Sequence, residues 1–480
     1  TLYLGVAGEE TETEKTCTAE GECAGGGEDE QEEEPEELPT IQEAVNKCPN
    51  TECVAAVLST HPSFRADYWE RRPLLLKNPP KILGDAKLDW NALLGLVDEG
   101  LMWTGHGGNS MVEVPKDNSS SFTFDVRNKN TPMDRSQLKG DLTLLMGSIQ
   151  TLHDGAAELV LNFQKMLGMV ANGNVYATKG RFQTVATLHT SRMDNFVVQT
   201  SGKKRWRVYQ PEVVNPVWGV YGKAEWGTQV GGKAIPESMV GELLIDAILE
   251  PGDILYVPRG FPQTTSTALP ASAGKKQKEP SVAISIYMHT EAHHIVYEKM
   301  IRCALSRSGF CDAKYDSKGK TYCPIGKLLT EQTRSNAGKV LRMSLPVGFL
   351  TPGGAWMPYA KEVADTALSQ LAKLMKRADK ANLEKKEEWM MEIESKLPET
   401  AGRVFQAVAH DTKLLEEKTF AGNNDDVPFY ERQQYWQKVF GQLGPFQGGY
   451  CHEGGPPIFF QDYFADDFEP DEFSAHMSFL

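Results

Sequence analysis

TLHTSRMDNFVVQTSGKKRWRVY, residues Thr187–Tyr209, alternates apolar and polar side chains through Asp194–Thr200, turns at Ser201-Gly202, and alternates again from Lys204 to Tyr209. Period-two alternation on both sides of a Gly-containing turn predicts two strands joined as a hairpin, with His189 on a strand edge ahead of them. A second stretch, Leu249–Thr265 (LEPGDILYVPRGFPQTT), repeats the order of turn, apolar strand and Pro-Arg-Gly turn, and is expected to partner the first. Further strand candidates lie at Leu74–Leu76, Phe122–Phe124, Asp141–Leu145, Asn174–Thr178 and Ser281–Met288. Strands this dense, with short turns and few intervening helices, predict a mainly β fold: an antiparallel barrel enclosing a pocket rather than a doubly wound sheet.

The flanks are different in character. Thr40 with Glu43 three residues on has the form of a capping box, so a short helix is expected from residue 41. Leu88, Trp90, Leu93, Leu94, Val97 and Leu101 recur at helical spacing, and Ala156–Leu167 is amphipathic, with His153 ahead of it as a capping or surface residue. These elements read as N-terminal helical support. After His294 the pattern turns helical, at Ile295–Leu305, Lys361–Lys376 and Asn382–Leu397, and FYERQQYWQKVFGQL at Phe429–Leu443 is helical without being diagnostic. The division is therefore residues 1–38 as an acidic disordered tail, 39–294 as the β domain with its support, 295–443 as a helical region, and 444–480 as an irregular extension.

Charge is unevenly spread. The chain has 480 residues and a formal net charge of −15, yet residues 1–45 hold fifteen Asp and Glu against one Lys. The acidity belongs to the tail, which has too little apolar content to offset the entropy of ordering, and the body is nearly neutral. Lys203, Lys204, Arg205 and Arg207 alternate across a strand instead of forming one face, so nucleic-acid binding is not expected. No run of about 18 apolar residues suggests a membrane span. TLYLGVAG at Thr1 is too short for a signal-peptide core, and is read as the remnant of a leader or a bare boundary. Eight cysteines, none in a CxxC pair, permit disulfides in an oxidising compartment and free thiols in a reducing one; the Asn118 sequon matters only in the first case. No phosphate-binding glycine motif and no Cys/His dyad stands out.

FRADYWERRPLLLK (Phe64–Lys77), GNVYATKG (Gly173–Gly180), LHTSRMDNFVVQTSGKKRWRVYQPE from Leu188 and LEPGDILYVPRGFPQ from Leu249 resemble, in order and spacing, the JmjC-type cupin oxygenases of the ribosomal-oxygenase group. The resemblance covers about residues 40–300. It implies a double-stranded β-helix that holds Fe(II) and 2-oxoglutarate, a helical dimerisation region and a winged-helix domain, a protein substrate, and a nuclear or cytoplasmic setting. Histidyl hydroxylation of ribosomal proteins and lysine demethylation of histones are the activities described for that group.

By that resemblance the metal needs a His-x-Asp pair and a second His, a facial triad that leaves positions open for 2-oxoglutarate and oxygen. Here the first position is His189, Ser191 stands where the carboxylate belongs, and Gln263 stands where the second imidazole belongs. Serine and glutamine oxygens are poor donors for Fe(II), so weak or absent iron binding is expected. Asp194 is expected to face away from Ser191. His289, His293 and His294 are a candidate replacement cluster, with plain surface as the competing reading. Lys204 matches the family lysine that meets the 2-oxoglutarate carboxylate and Tyr176 a tyrosine near that anion, against the alternative that Lys204 snorkels beside a core Trp206. Arg259 reads as a turn-stabilising residue.

Three readings follow. The first is a JmjC-like protein whose iron site has degenerated, working as a binding or scaffold module for a protein partner and retaining an organic-acid site at Lys204. The second is an active 2-oxoglutarate-dependent hydroxylase or demethylase with unorthodox ligands beside His189. The third is a lumenal or secreted interaction protein that uses the barrel as a frame. A homodimer built through the helical region is expected under the family resemblance.

Overall fold

The computed structural model describes residues 38–398 apart from 80–82, 84–85, 105–109, 116–121, 125–130, 192, 212–234, 236–237, 239, 270–278, 291–295, 308–313, 316–320, 323–327, 330–331, 333–337, 348–355 and 377–389, together with residue 417. The expectations for the acidic tail, for Asn118, for His293 and His294 and for the chain beyond 417 lie outside the described residues. Thr40–Leu480 group as one compact unit, separate from Thr1–Pro39.

The support begins with α1 (Ile41–Asn46), closed by the capping box between Thr40 and Glu43. In α2 (Thr51–Thr60) the Asn50 side chain accepts the Cys53 N–H, and a disulfide joins Cys48 to Cys53 across the α1–α2 turn. A π-helical turn, Phe64–Tyr68, leads through Glu70 to β1 (Leu74–Leu76). The helical pattern around Leu88–Leu101 becomes α3 (Trp90–Asp98), and the chain then turns at Gly100 (φ 71°) into β2 (Trp103–Thr104), so the helix ends before Leu101. The strands β3 (Ser110–Pro115), β4 (Phe122–Phe124), β5 (Thr131–Pro132) and β6 (Leu142–Met146) follow. His153 caps α4 (Asp154–Leu167) by accepting the Ala156 N–H on Nδ1 at 3.2 Å.

From there the chain runs β7 (Ala171–Lys179), β8 (Ala186–His189), β9 (Asp194–Ser201), β10 (Lys204–Tyr209), β11 (Leu243–Leu249), β12 (Ile254–Val257), β13 (Gln263–Ser266) and β14 (Ser281–Met288). The large antiparallel sheet has the order β1-β12-β9-β14-β7-β6-β3-β4, and the small one β11-β10-β13-β8. Neither closes on itself. The barrel expected from the strand pattern is thus a pair of open sheets packed face to face.

The hairpin expectation needs correction too. β9 and β10 are joined by a tight turn at Gly202 (φ 60°), yet they do not pair with each other: β9 lies between β12 and β14, and β10 between β11 and β13. Their burial explains it. All of Asp194–Thr200 is buried, whereas β10 alternates strictly, with Lys204, Trp206 and Val208 inside. A strand buried on both faces needs neighbours on both edges and a layer on each side, which a simple hairpin cannot supply.

Two apolar cores result. On the outer face of the large sheet Phe196, Val198, Tyr256, Ile284 and Ile286 pack against Phe64, Phe163 and the helices. Between the sheets, Val197, Leu255, Val257 and Ala283 meet Trp206, Val208, Leu249 and Phe261. The cations of β10 do not gather: Arg205 pairs with Asp246 (2.6 Å), Lys203 with Glu250, and Lys204 is internal. After β14 come α5 (Tyr297–Arg307), a small hairpin β15 (Lys314–Tyr315) with β16 (Thr321–Tyr322) that the sequence pattern did not suggest, α6 (Lys339–Arg342) and α7 (Trp356–Met375), which starts five residues before the expected Lys361. Residues 390–398 are helical, and the earlier part of the third expected helix lies outside the described residues. Among the described residues no helix is long and apolar enough to cross a membrane.

Candidate functional site

The polar residues of interest converge on the inner faces of the two sheets. In the small sheet the register sets His189 opposite Gln263, and Gln263 opposite Val208. Two residues along β10, Trp206 faces Thr265, and two further on Lys204 faces Leu249. Side chains alternate across a strand, so Lys204, Trp206 and Val208 share one face with Gln263 and His189. On the large sheet the matching face carries Asn172, Asn174, Tyr176 and Thr178 of β7, Asn195 of β9 and Tyr287 of β14, as their cross-strand pairings require. The apolar cluster fills the side under β11 and β12; the polar set occupies the side under β7, β8 and β13.

His189 is buried, and its Nδ1 lies 2.6 Å from the Thr187 carbonyl. That contact assigns the ring proton to Nδ1 and leaves Nε2 as the basic nitrogen. Burial lowers the imidazole pKa below its ordinary 6.5, the Thr187 hydrogen bond opposing it, so the ring is neutral at physiological pH. The Ser191 hydroxyl accepts the Met193 N–H (3.1 Å), and the Ser191 carbonyl accepts the Gly260 N–H (2.7 Å), which ties this loop to the Pro-Arg-Gly turn. Gln263 is 2% exposed, and its Oε1 has no hydrogen-bond partner among the described residues. Between them these positions offer one neutral imidazole, a hydroxyl already accepting a backbone N–H, and an amide oxygen. A donor set of that kind does not fit Fe(II), which needs anionic or further imidazole ligands. Among the described residues no group of three or more His, Cys, Asp or Glu is arranged to hold a metal ion. His289 is buried at the end of β14 with its N–H on the Val170 carbonyl, so it is no surface histidine.

Lys204 is 2% exposed, with Nζ donating to Thr178 Oγ1 at 3.1 Å. Tyr176 bonds through its hydroxyl to Tyr287 (2.8 Å), and burial raises the Tyr287 pKa. The lysine thus meets Thr178 directly, with Tyr176 two residues along the same face of β7. Thr178, Tyr287 and Asn195 escaped the sequence reading. A signal was present: Asn172, Asn174, Tyr176 and Thr178 form a polar period-two stripe in an otherwise apolar strand.

Asp194 faces the outer core. Its Oδ1 accepts the Tyr256 hydroxyl (2.7 Å) and the Arg259 N–H (3.3 Å). Arg259 Nε in turn donates to Glu70 Oε1 (2.6 Å), its terminal nitrogen meets the Arg342 carbonyl, and Glu70 Oε2 accepts the Ser344 N–H (2.6 Å). All three charged side chains are 0% exposed. Glu70 has a left-handed backbone (φ 55°), a conformation that costs about 1 kcal/mol or more for a residue with a Cβ and persists because these contacts hold it. Arg259 is therefore a turn-stabilising residue, and it also binds the turn to Glu70 and to the C-terminal end of α6.

Residues 150–281 match the family model described as JmjC domain. The chain is similar to the bifunctional lysine-specific demethylase and histidyl-hydroxylase NO66 of Aedes aegypti, 27% identical over 216 residues that cover 42% of this chain and 30% of that protein. It is also similar to ribosomal oxygenase 1 of Gallus gallus, 28% identical over 208 residues, 41% of this chain and 31% of that protein. The chain thus matches about a third of the length of these relatives. A solved structure of the Escherichia coli ribosomal oxygenase YcfD with cobalt and 2-oxoglutarate aligns over 54% of this chain and 59% of that one, at 21% identity and a TM-score of 0.36.

Proposed function

We propose that this chain is a ribosomal-oxygenase-like JmjC protein that no longer holds catalytic iron, takes up a small organic acid at Lys204 between its two sheets, and acts as a binding or scaffold module for a protein partner. The carrying observation is the pairing of His189 with Gln263, beside a Ser191 hydroxyl occupied by the Met193 N–H. A buried ammonium next to Thr178 attracts a carboxylate, because low dielectric strengthens that attraction. The names of the relatives support a protein as the partner, and the helical region from α5 onward is where a second copy is expected to dock.

The test is to load the full chain anaerobically with Fe(II) and follow bound metal and succinate release from 2-oxoglutarate, for the native chain and for Ser191→Asp/Gln263→His. The native chain is expected to retain no stoichiometric iron and the double variant to gain it. Iron and turnover in the native chain would establish the alternative, an active hydroxylase or demethylase. A lumenal or secreted setting is favoured by one observation, the Cys48–Cys53 disulfide. Peptide mapping of the natural protein without reductant is expected to find that cross-link; free thiols at both positions would remove the support.

A further inference from the structure

We infer that the Cys48–Cys53 disulfide is a reversible thiol–disulfide switch, whose two states fasten and release the cover that α1 places over the end of β1. The inference is independent of the inter-sheet site.

β1 stands at one end of the large sheet, so one of its edges has no neighbouring strand among the described residues. Just past β1, α1 takes the place of such a neighbour. The Gln42 side-chain amide accepts the Lys77 N–H (2.8 Å) and donates to the Lys77 carbonyl (3.1 Å), the pair of bonds that a residue of a further strand would make. Lys77 and Asn78 in turn hold the buried Asp253 at the turn into β12: the Lys77 ammonium meets its Oδ2, and the Asn78 N–H donates to its Oδ1 at 2.9 Å. α1 is thereby tied to the β1–β12 end of the sheet.

Little else holds α1 in place. It has six residues, too few to persist as an isolated helix, and only Ile41 and Val45 on it are buried. Beyond the chain itself, its covalent fastening is the bond from Cys48, which follows its C-cap Lys47, to Cys53 in α2. α2 is the fixed partner: it buries Val54, Ala55 and Leu58, and Asn162 of α4 donates to Thr51 Oγ1 at 2.6 Å.

Three features make this bond one that opens. It closes a loop of only six residues, Cys48 to Cys53, and so takes little entropy from the reduced chain. Cys53 is partly exposed whereas Cys48 is buried, so a reductant reaches one of the two sulfurs. Cys53 is also the third residue of the ten-residue α2, where the helix N-terminus favours a thiolate, and the charge of the neighbouring Glu52 is exposed and screened by solvent. A disulfide whose reduced form is stabilised in this way is readily reduced. The reductant is a dithiol. One of its thiolates attacks Cys53 Sγ, the Cys53–Cys48 bond breaks, and Cys48 leaves with the electron pair and takes up a proton. The second thiolate of the reductant then attacks its own sulfur in the mixed disulfide, which closes the reductant's disulfide and releases Cys53 as the thiolate. A disulfide oxidant runs the exchange backwards.

Hydrogen exchange read by mass spectrometry on the full chain tests this, oxidised and after dithiothreitol. Amides of residues 41–48 and of Lys77 are expected to exchange at least tenfold faster in the reduced chain, with those of β9 and β14 unchanged, and oxidised glutathione is expected to restore the slow rate. Cys48→Ser/Cys53→Ser is expected to exchange like the reduced chain without any reductant and to show no further response there, which separates this bond from the other six cysteines. If that variant does not fold by circular dichroism, the native chain in its two states decides alone. Equal exchange at 41–48 in both states overturns the inference. So does faster exchange throughout β9 and β14 on reduction, because the bond is then a staple of the whole fold, and so does failure of oxidised glutathione to restore the slow rate.

Discussion

Arg259→Leu is expected to lower the unfolding free energy by about 3–5 kcal/mol, the range for breaking a buried ion pair by removing one partner. The reason lies in geometry. Glu70 and Asp194 are both fully buried and share Arg259 as their cation, while Tyr256 joins them by accepting the Glu70 N–H and donating to Asp194. Without the guanidinium, two carboxyls face each other in the core, and the Arg342 carbonyl loses its donor. Arg259→Lys keeps the charge but cannot span Glu70 and Arg342 at once, so it should recover only part of the loss. Denaturant midpoints at pH 7.5 for the three chains check this; an Arg259→Leu chain as stable as the native one would mean that the cluster contributes nothing. The damage is expected to reach the site as well, because Gly260, next to Arg259, donates to Ser191 and the same turn leads into Gln263.

The second large effect is a pH dependence. One guanidinium cannot neutralise two carboxylates, and the Asp194 carboxyl is pushed up from its ordinary 3.8 to about 7, by burial first and by the Glu70 charge second, with Arg259 opposing. The folded state thus binds a proton that the unfolded chain gives up near pH 4. Its contribution to stability is complete below 3.8, shrinks as pH rises, and is gone above about 7. The native chain should therefore lose stability relative to Asp194→Asn across that window, at up to about 1.4 kcal/mol per pH unit. Unfolding free energies of the pair between pH 4 and 8 decide it: parallel curves would show that Asp194 is ionised throughout. The groups facing Asp194 are Glu70, Arg259 and Tyr256, and the Tyr256 hydroxyl, raised well above its usual pKa by burial, stays protonated in this range.

Much of the fold was legible along the chain. Period-two alternation located β10, the run between the turn at Gly252 and the Pro-Arg-Gly turn located β12, Ser281–Met288 was read as the strand that became β14, the capping box placed α1, and the JmjC-like blocks pointed to the residues that the register then set side by side. What was not legible was the pairing of β9. Its alternation looked like that of a half-exposed hairpin strand, although the polar members Asn195, Gln199 and Thr200 are buried with the rest. The Gln199 amide nitrogen, for instance, donates to the Ser201 and Val282 carbonyls and to the Ser281 hydroxyl, and contacts of that kind hold a polar side chain inside a sheet without marking it in the sequence, even though its Oε1 has no hydrogen-bond partner among the described residues.

The sequence by itself determined the chemistry carried at each key position: an imidazole at 189, a hydroxyl at 191, an amide at 263 and an ammonium at 204. Only the tertiary structure decided the rest. That Ser191 spends its hydroxyl on Met193, that Gln263 faces His189 with its oxygen unmatched, and that Arg259 is bound between Glu70 and Asp194 depend on residues up to 189 positions apart. Local patterns encode periodicity, whereas buried polar partners are chosen by sheet order and by the cost of leaving a charge or a carbonyl unmatched in the core.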